Sequence, residues 1–139
     1  MPHEALAISA SALSAQRTRL NVIAENLANA NTTKTVEGGP YRRRVTRLET
    51  QAPAFASLLP DQQNLRGVKV TGVVQMPETR RAFMPGHPDA DRDGYVEMPN
   101  INPVMEMADM MAATRAYEAN VTAIQAMKSM TQKALELGR

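Results

Sequence analysis

Residues Asn102–Arg139, NPVMEMADMMAATRAYEANVTAIQAMKSMTQKALELGR, contain no glycine or proline between Pro103 and Gly138. Asparagine is a favoured N-cap, proline at the first helical position sacrifices no bonded amide, and glycine ends helices. The segment is therefore predicted as one helix, roughly 50 Å long at ~1.5 Å per residue. Ordinary globular helices run only ~11–12 residues. The remaining chain is too small to bury such a helix by itself, so something else must cover it. Along it, Met110, Thr114, Tyr117, Val121, Ile124, Lys128, Thr131 and Leu135 alternate steps of three and four, the seam of a coiled coil. Beside that row run Ala113, Asn120, Met127 and Ala134, small or flexible side chains that let a neighbour approach. The face packs either on the protein's own core alone or on other subunits as well.

A second helix is predicted over residues 3–31. Leu6, Leu13, Leu20 and Leu27 recur every seven residues, with Ile23, Ala24 and Ala30 in companion positions. Ser9, Ser11 and Ser14 lower helix propensity near its start, so the first dozen residues are expected to need a partner for order. Asn26, Asn29 and Asn31 crowd the other end, and the helix is expected to fail near Asn29–Thr33. Periodicity alone permits an antiparallel or a parallel intramolecular pair and does not prove self-association.

Between the helices lies a β-rich insert. NTTKTVEGGP (residues 31–40) is turn chemistry, and Tyr41–Thr50, YRRRVTRLET, is a charged edge-strand candidate. QAPAFASLLPDQQNLRG is broken by Pro53 and Pro60. Gly67–Gln75, GVKVTGVVQ, is the best strand, with Val68, Val70 and Val73 opposite Lys69 and Thr71 and a bulge expected at Gly72. The Pro-rich run that follows holds a short strand or hairpin arm at Tyr95–Met98. The expected layout is mainly α with a small β-rich insert: residues 1–31, 32–101 and 102–139, the two long helices pairing in coiled-coil fashion as one discontinuous domain.

Composition narrows the function classes. The chain has 139 residues, no Cys, no Trp, two Phe and ten Met. Disulfides and thiolate chemistry are excluded, and methionine suits adaptable helix interfaces. Net charge is +2, and that excess lies in the insert, too weak a balance to argue for nucleic acid. The amino terminus lacks a Sec-type pattern, and no apolar run is long enough to span a membrane.

Each chemical motif has a plain structural reading. Asp89, Asp91, Asp93 and Gly94 imitate the start of a calcium loop, but the twelfth position is Asn100, which is no bidentate carboxylate. A hairpin turn between His87-Pro88 and Tyr95-Val96 is the favoured reading. His3 and His87 assemble with nothing into a catalytic or metal constellation, and no cofactor is implied. Glu106 and Asp109 suit the start of a helix dipole. Arg42, Arg43 and Arg44 are either a phosphate-binding stretch or, preferably, a solvated edge or salt-bridging insert surface.

SALSAQRTRLNVIAENLANANTT (Ser11–Thr33) resembles the amino-terminal signature of bacterial flagellar rod and hook proteins, and TRAYEANVTAIQAMKSMTQKALELGR (Thr114–Arg139) resembles their carboxy-terminal signature. EGGPYRRR, HPDADRDGYVEMPN and the short insert are most similar to the proximal-rod members of that family. The resemblance implies a structural subunit that transmits torque, its terminal helices packed with its own copies into a helical tube. It further implies export by the flagellar type III apparatus, location in the rod within the periplasm, and contact with other proximal-rod subunits, the rod–ring junction protein and the distal rod. Leu6, Leu13, Leu20, Ile23, Leu27, Met110, Tyr117, Val121, Ile124, Met127 and Leu135 are the expected subunit and helix interface. Under the same resemblance the Asp89–Gly94 stretch is a turn.

Overall fold

The structure, a computed structural model, describes residues 2–51 and 67–137. Helix α1 spans Pro2–Ala28 and helix α2 spans Pro103–Leu137. Between them lie β1 (Arg44–Gln51), β2 (Gly67–Gln75), β3 (Thr79–Phe83) and β4 (Tyr95–Pro99). The architecture is mainly helical with a β insert. The Pro-broken run between β1 and β2, and Gly138, fall outside the described residues.

Local chemistry accounts for the helix ends. Asn102 Oδ1 accepts from the Val104 amide at 3.0 Å, and the Asn102 carbonyl accepts the first helical bond from the Glu106 amide. That is the N-cap geometry, with Pro103 at the position that needs no donor. At the end of α1, Asn29 donates from Nδ2 to the Glu25 carbonyl at 2.9 Å, and residues 29–31 turn away. The backbone is helical from Pro2, so the serines near its start do not break it. One of them is held: Ser11 Oγ donates to the Ile8 carbonyl and accepts from the Val68 amide.

The insert forms two antiparallel hairpins rather than one sheet. β1 pairs with β2 from Arg44↔Gln75 to Gln51↔Gly67, with the register shifting where Arg47↔Gly72 is followed by Leu48↔Val70. Thr71 is the extra residue, so the bulge falls beside Gly72 as expected. Alternation in burial runs on through the bulge, with positions 68, 70 and 72 half-buried. Val68 and Val70 are half-buried, whereas Val73, expected on the same face, is exposed. β3 pairs with β4 from Thr79↔Pro99 to Phe83↔Tyr95. β4 matches the expected arm at Tyr95–Met98. β3 was not legible: TRRAF carries two adjacent arginines and no clean alternation, and it is a strand because β4 offers a partner.

α1 is the centre of the molecule, packed against α2 and also against β1 and β2. Its fully buried residues are Ala15, Val22, Ile23 and Asn26. Leu6, Leu13, Leu20 and Leu27 are only half-buried, so the heptad row flanks the buried row instead of forming it. The helices are antiparallel, since the end of α1 meets the start of α2: Asn26 contacts Glu106 at 3.1 Å, and Arg19 approaches Asp109 at 3.8 Å.

Candidate assembly surface

At the closed end of the helix pair a polar junction ties three parts of the chain. Asn26 and Glu106 are each 1% exposed. Glu106 Oε1 accepts from Arg43 Nε at 2.7 Å, and Glu106 Oε2 accepts from Asn26 Nδ2 at 3.1 Å. Asn26 also copies a strand partner: its Nδ2 donates to the Arg44 carbonyl at 2.8 Å, and its Oδ1 accepts the Arg44 amide at 2.9 Å. The Tyr41 hydroxyl adds a third contact, donating to Asn26 Oδ1 at 3.2 Å. Burial raises the Tyr41 phenol above its ordinary value; the nearby Arg44 cation opposes this, and the Glu25 and Glu106 carboxylates add to it. A buried carboxylate needs such partners, because desolvation otherwise drives it to neutralise.

From the sequence, Glu106 is expected to serve the helix dipole and Asn26 the helix end, and the structure buries both in this junction. The available signal was phase. Glu106 precedes Met110, Ala113 and Tyr117 by steps of four, three and four, and Asn26 follows Ile23 by three, so both lie on buried faces. Of the arginine run, Arg42 is exposed, Arg43 turns inward to Glu106, and Arg44 pairs with Glu25 at 3.2 Å while lying 5.7 Å over the Tyr41 ring.

The Asp89–Gly94 stretch is organised as a turn. Asp91 Oδ1 accepts from the Asp93 and Tyr95 amides, and Oδ2 accepts from Arg81 at 2.6 Å. The Tyr95 amide is the largest influence holding the Asp91 carboxyl below its ordinary value. Gly94 supplies a φ of 80°. Asp89 instead reaches the loop after α1, accepting from Thr33 Oγ1 at 2.8 Å. Asp89 and Asp91 thus have separate local tasks, and among the described residues no three His, Asp or Glu side chains are placed to share a metal ion.

What remains open is apolar. On α2, Met110, Tyr117, Val121, Ile124 and Met127 are half-buried, with Ala113 fully buried beside them. Thr114, Lys128 and Leu135 are exposed in the single chain. Val104, Met105, Met107 and Met111 face solvent near the start of the helix, and Met130, Leu135 and Leu137 near its end. From the Asn26–Glu106 contact, α1 runs out near Met130, at roughly 1.5 Å per residue on both helices. The last turns of α2 therefore extend past their partner. No described helix is long and apolar enough to cross a membrane.

Comparison with known proteins gives two family matches. Residues 6–34 match the flagella basal body rod protein family, and residues 92–137 match the flagellar basal body rod FlgEFG protein C-terminal family. The chain is also similar over nearly its whole length to proteins named flagellar basal-body rod protein FlgC. Identity is 44% to that of Bacillus subtilis, covering 96% of each chain. For Salmonella typhimurium it is 43%, covering 95% of this chain and 94% of the relative. For Borreliella burgdorferi it is 40%, covering 94% and 93%.

Proposed function

Because the chain belongs to the flagellar basal-body rod protein family, FlgC type, we propose how its two helices serve the rod. It is a structural subunit of the flagellar basal body and not an enzyme. Within the rod its place is the proximal section, in the periplasm, reached by the flagellar type III apparatus. α1 and α2 line up with those of its own copies in a helical tube, and the insert forms the outer wall. Residues 1–31 and 102–139 act as one helical unit, and residues 32–101 as the small β-rich insert. Other proximal-rod subunits, the rod–ring junction protein and the distal rod are its neighbours, and torque passes through helix–helix contacts. The interface residues are Leu6, Leu13, Leu20, Ile23, Leu27, Met110, Tyr117, Val121, Ile124, Met127 and Leu135.

The observation that supports this reading is the half-covered α2. An apolar helix face left open costs solubility unless a neighbour covers it. The reading is tested by deleting the gene in its own cell and restoring it with a tagged copy. Motility and rods should be lost on deletion, and the tagged chain should co-purify with basal bodies. Intact, rotating flagella in the deletion strain would refute the assignment.

A further inference from the structure

We propose that the methionine-lined groove at the start of α2 is a sulfoxidation site, where a hydroperoxide turns this face from apolar to polar. The chain has no Cys and ten Met, so thioethers are its most oxidisable side chains. Four of them, Met105, Met107, Met110 and Met111, crowd the first turns of α2. Met107 and Met111 are four residues apart and so neighbours on one helix face, and they are 55% and 57% exposed. With Met110, Leu27, Thr114 and Arg115 they line an open groove of about 410 Å³, ample room for a small peroxide. Met98, in the β3–β4 hairpin, is only 5% exposed.

The chemistry is a two-electron oxygen transfer. The sulfur lone pair attacks one peroxide oxygen, and the S–O bond forms as the O–O bond breaks. The sulfur gives up the two electrons, and the departing oxygen takes the proton of the transferred one and leaves as water. Arg115 favours this step within the groove. Its guanidinium stays cationic and only donates hydrogen bonds, so it supports the departing oxygen and then holds the sulfoxide oxygen. Thr114 cannot serve in the same way, because its hydroxyl donates to the Met110 carbonyl at 2.9 Å. Met105 is 61% exposed but lies outside the groove, with the carboxylate of Asp109 one turn further on. A sulfoxide is polar where the thioether was apolar, and the fold tolerates it at Met107 and Met111 because both already face water. Under the rod reading, on which this consequence rests, the oxidised chain is withheld from assembly, since Met110 in the same groove is one of the interface residues.

The isolated full-length protein is treated with hydrogen peroxide and followed by peptide mass mapping. Met107 and Met111 should oxidise roughly tenfold faster than Met98, with the circular dichroism of the helices unchanged. Arg115→Leu should slow Met107 and Met111 about threefold relative to Met105, and Arg115→Lys, which keeps a cationic donor, should restore most of the ratio. An unchanged ratio in Arg115→Leu, oxidation of Met98 in step with the groove, or loss of helicity on oxidation overturns the site. In the cell, Met107→Gln with Met111→Gln imitates the polarity of the sulfoxide, and Met107→Leu with Met111→Leu keeps the face apolar. With each pair expressed as the sole copy, the Gln pair should enter basal bodies about tenfold less than the Leu pair. Equal incorporation overturns the switch. Absence of the unmodified chain from basal bodies is a different result: it removes the rod reading and leaves the peroxide chemistry to be judged on the isolated protein.

Discussion

Glu106 shows how much one side chain can organise. It sits in the first turn of α2, where an acid is already favoured by the helix dipole, yet its oxygens are committed to Arg43 and Asn26. Replacing it with alanine strands the Asn26 amide donor and removes the inward partner of Arg43. Glu106→Ala should therefore lose about 2–3 kcal/mol of stability in urea unfolding. Glu106→Gln keeps an acceptor and should lose visibly less. Asp91 offers a pH test at the same scale. Its pKa is held below 3.8 in the folded turn, so its contribution is present above that value and disappears as pH falls through the folded pKa. The protection of the Asp93 and Tyr95 amides, relative to their intrinsic exchange rates at each pH, should fall over that acid range, and carboxyl NMR should place the Asp91 midpoint below 3.8.

Among the elements, the β3–β4 hairpin depends most on its turn. Gly94 adopts a φ of +80°, and a Cβ there would lie 3.1 Å from Phe83 Cε2 and from Pro85 Cβ. Gly94→Ala combines left-handed strain with crowding, and the strain alone should cost roughly 1–2 kcal/mol. The checkable outcome is loss of amide protection along β3 and β4 with α1 and β2 still protected. The Phe83–Tyr95 edge contact, at 5.2 Å between centroids, and Arg81 over the Tyr95 ring at 5.0 Å should weaken with it. The turn was legible because aspartate and glycine specify it locally. β3 was not, because a short strand in a two-stranded ribbon draws its stability from cross-strand neighbours.

For the whole molecule, folding and assembly draw on different parts of the same helix. Ile124 is half-buried in the single chain, whereas Leu135 is exposed. Ile124→Asp should destabilise the isolated protein by a few kcal/mol, since it puts an unpaired charge where water is partly excluded. Leu135→Asp should change its unfolding free energy by no more than about 0.5 kcal/mol. Both are expected to abolish motility. Unaltered swimming in the Leu135→Asp strain would show that the overhanging turns carry no subunit contact.

The sequence by itself determined the two long helices, the cap at Asn102, the bulge near Gly72 and the turn at Asp89–Gly94. Each depends on backbone preferences or periodicity within a few residues. Only the tertiary structure decided that α1 packs between α2 and the β1–β2 hairpin, that the Leu row flanks that core, and that Arg43, Asn26, Tyr41 and Glu106 meet. These residues lie far apart in the chain, and a polar group becomes tolerable in a core only when a distant segment brings its partner. The long α2 therefore looked under-covered from its residues alone, while the fold identified which of its turns α1 covers and which remain open.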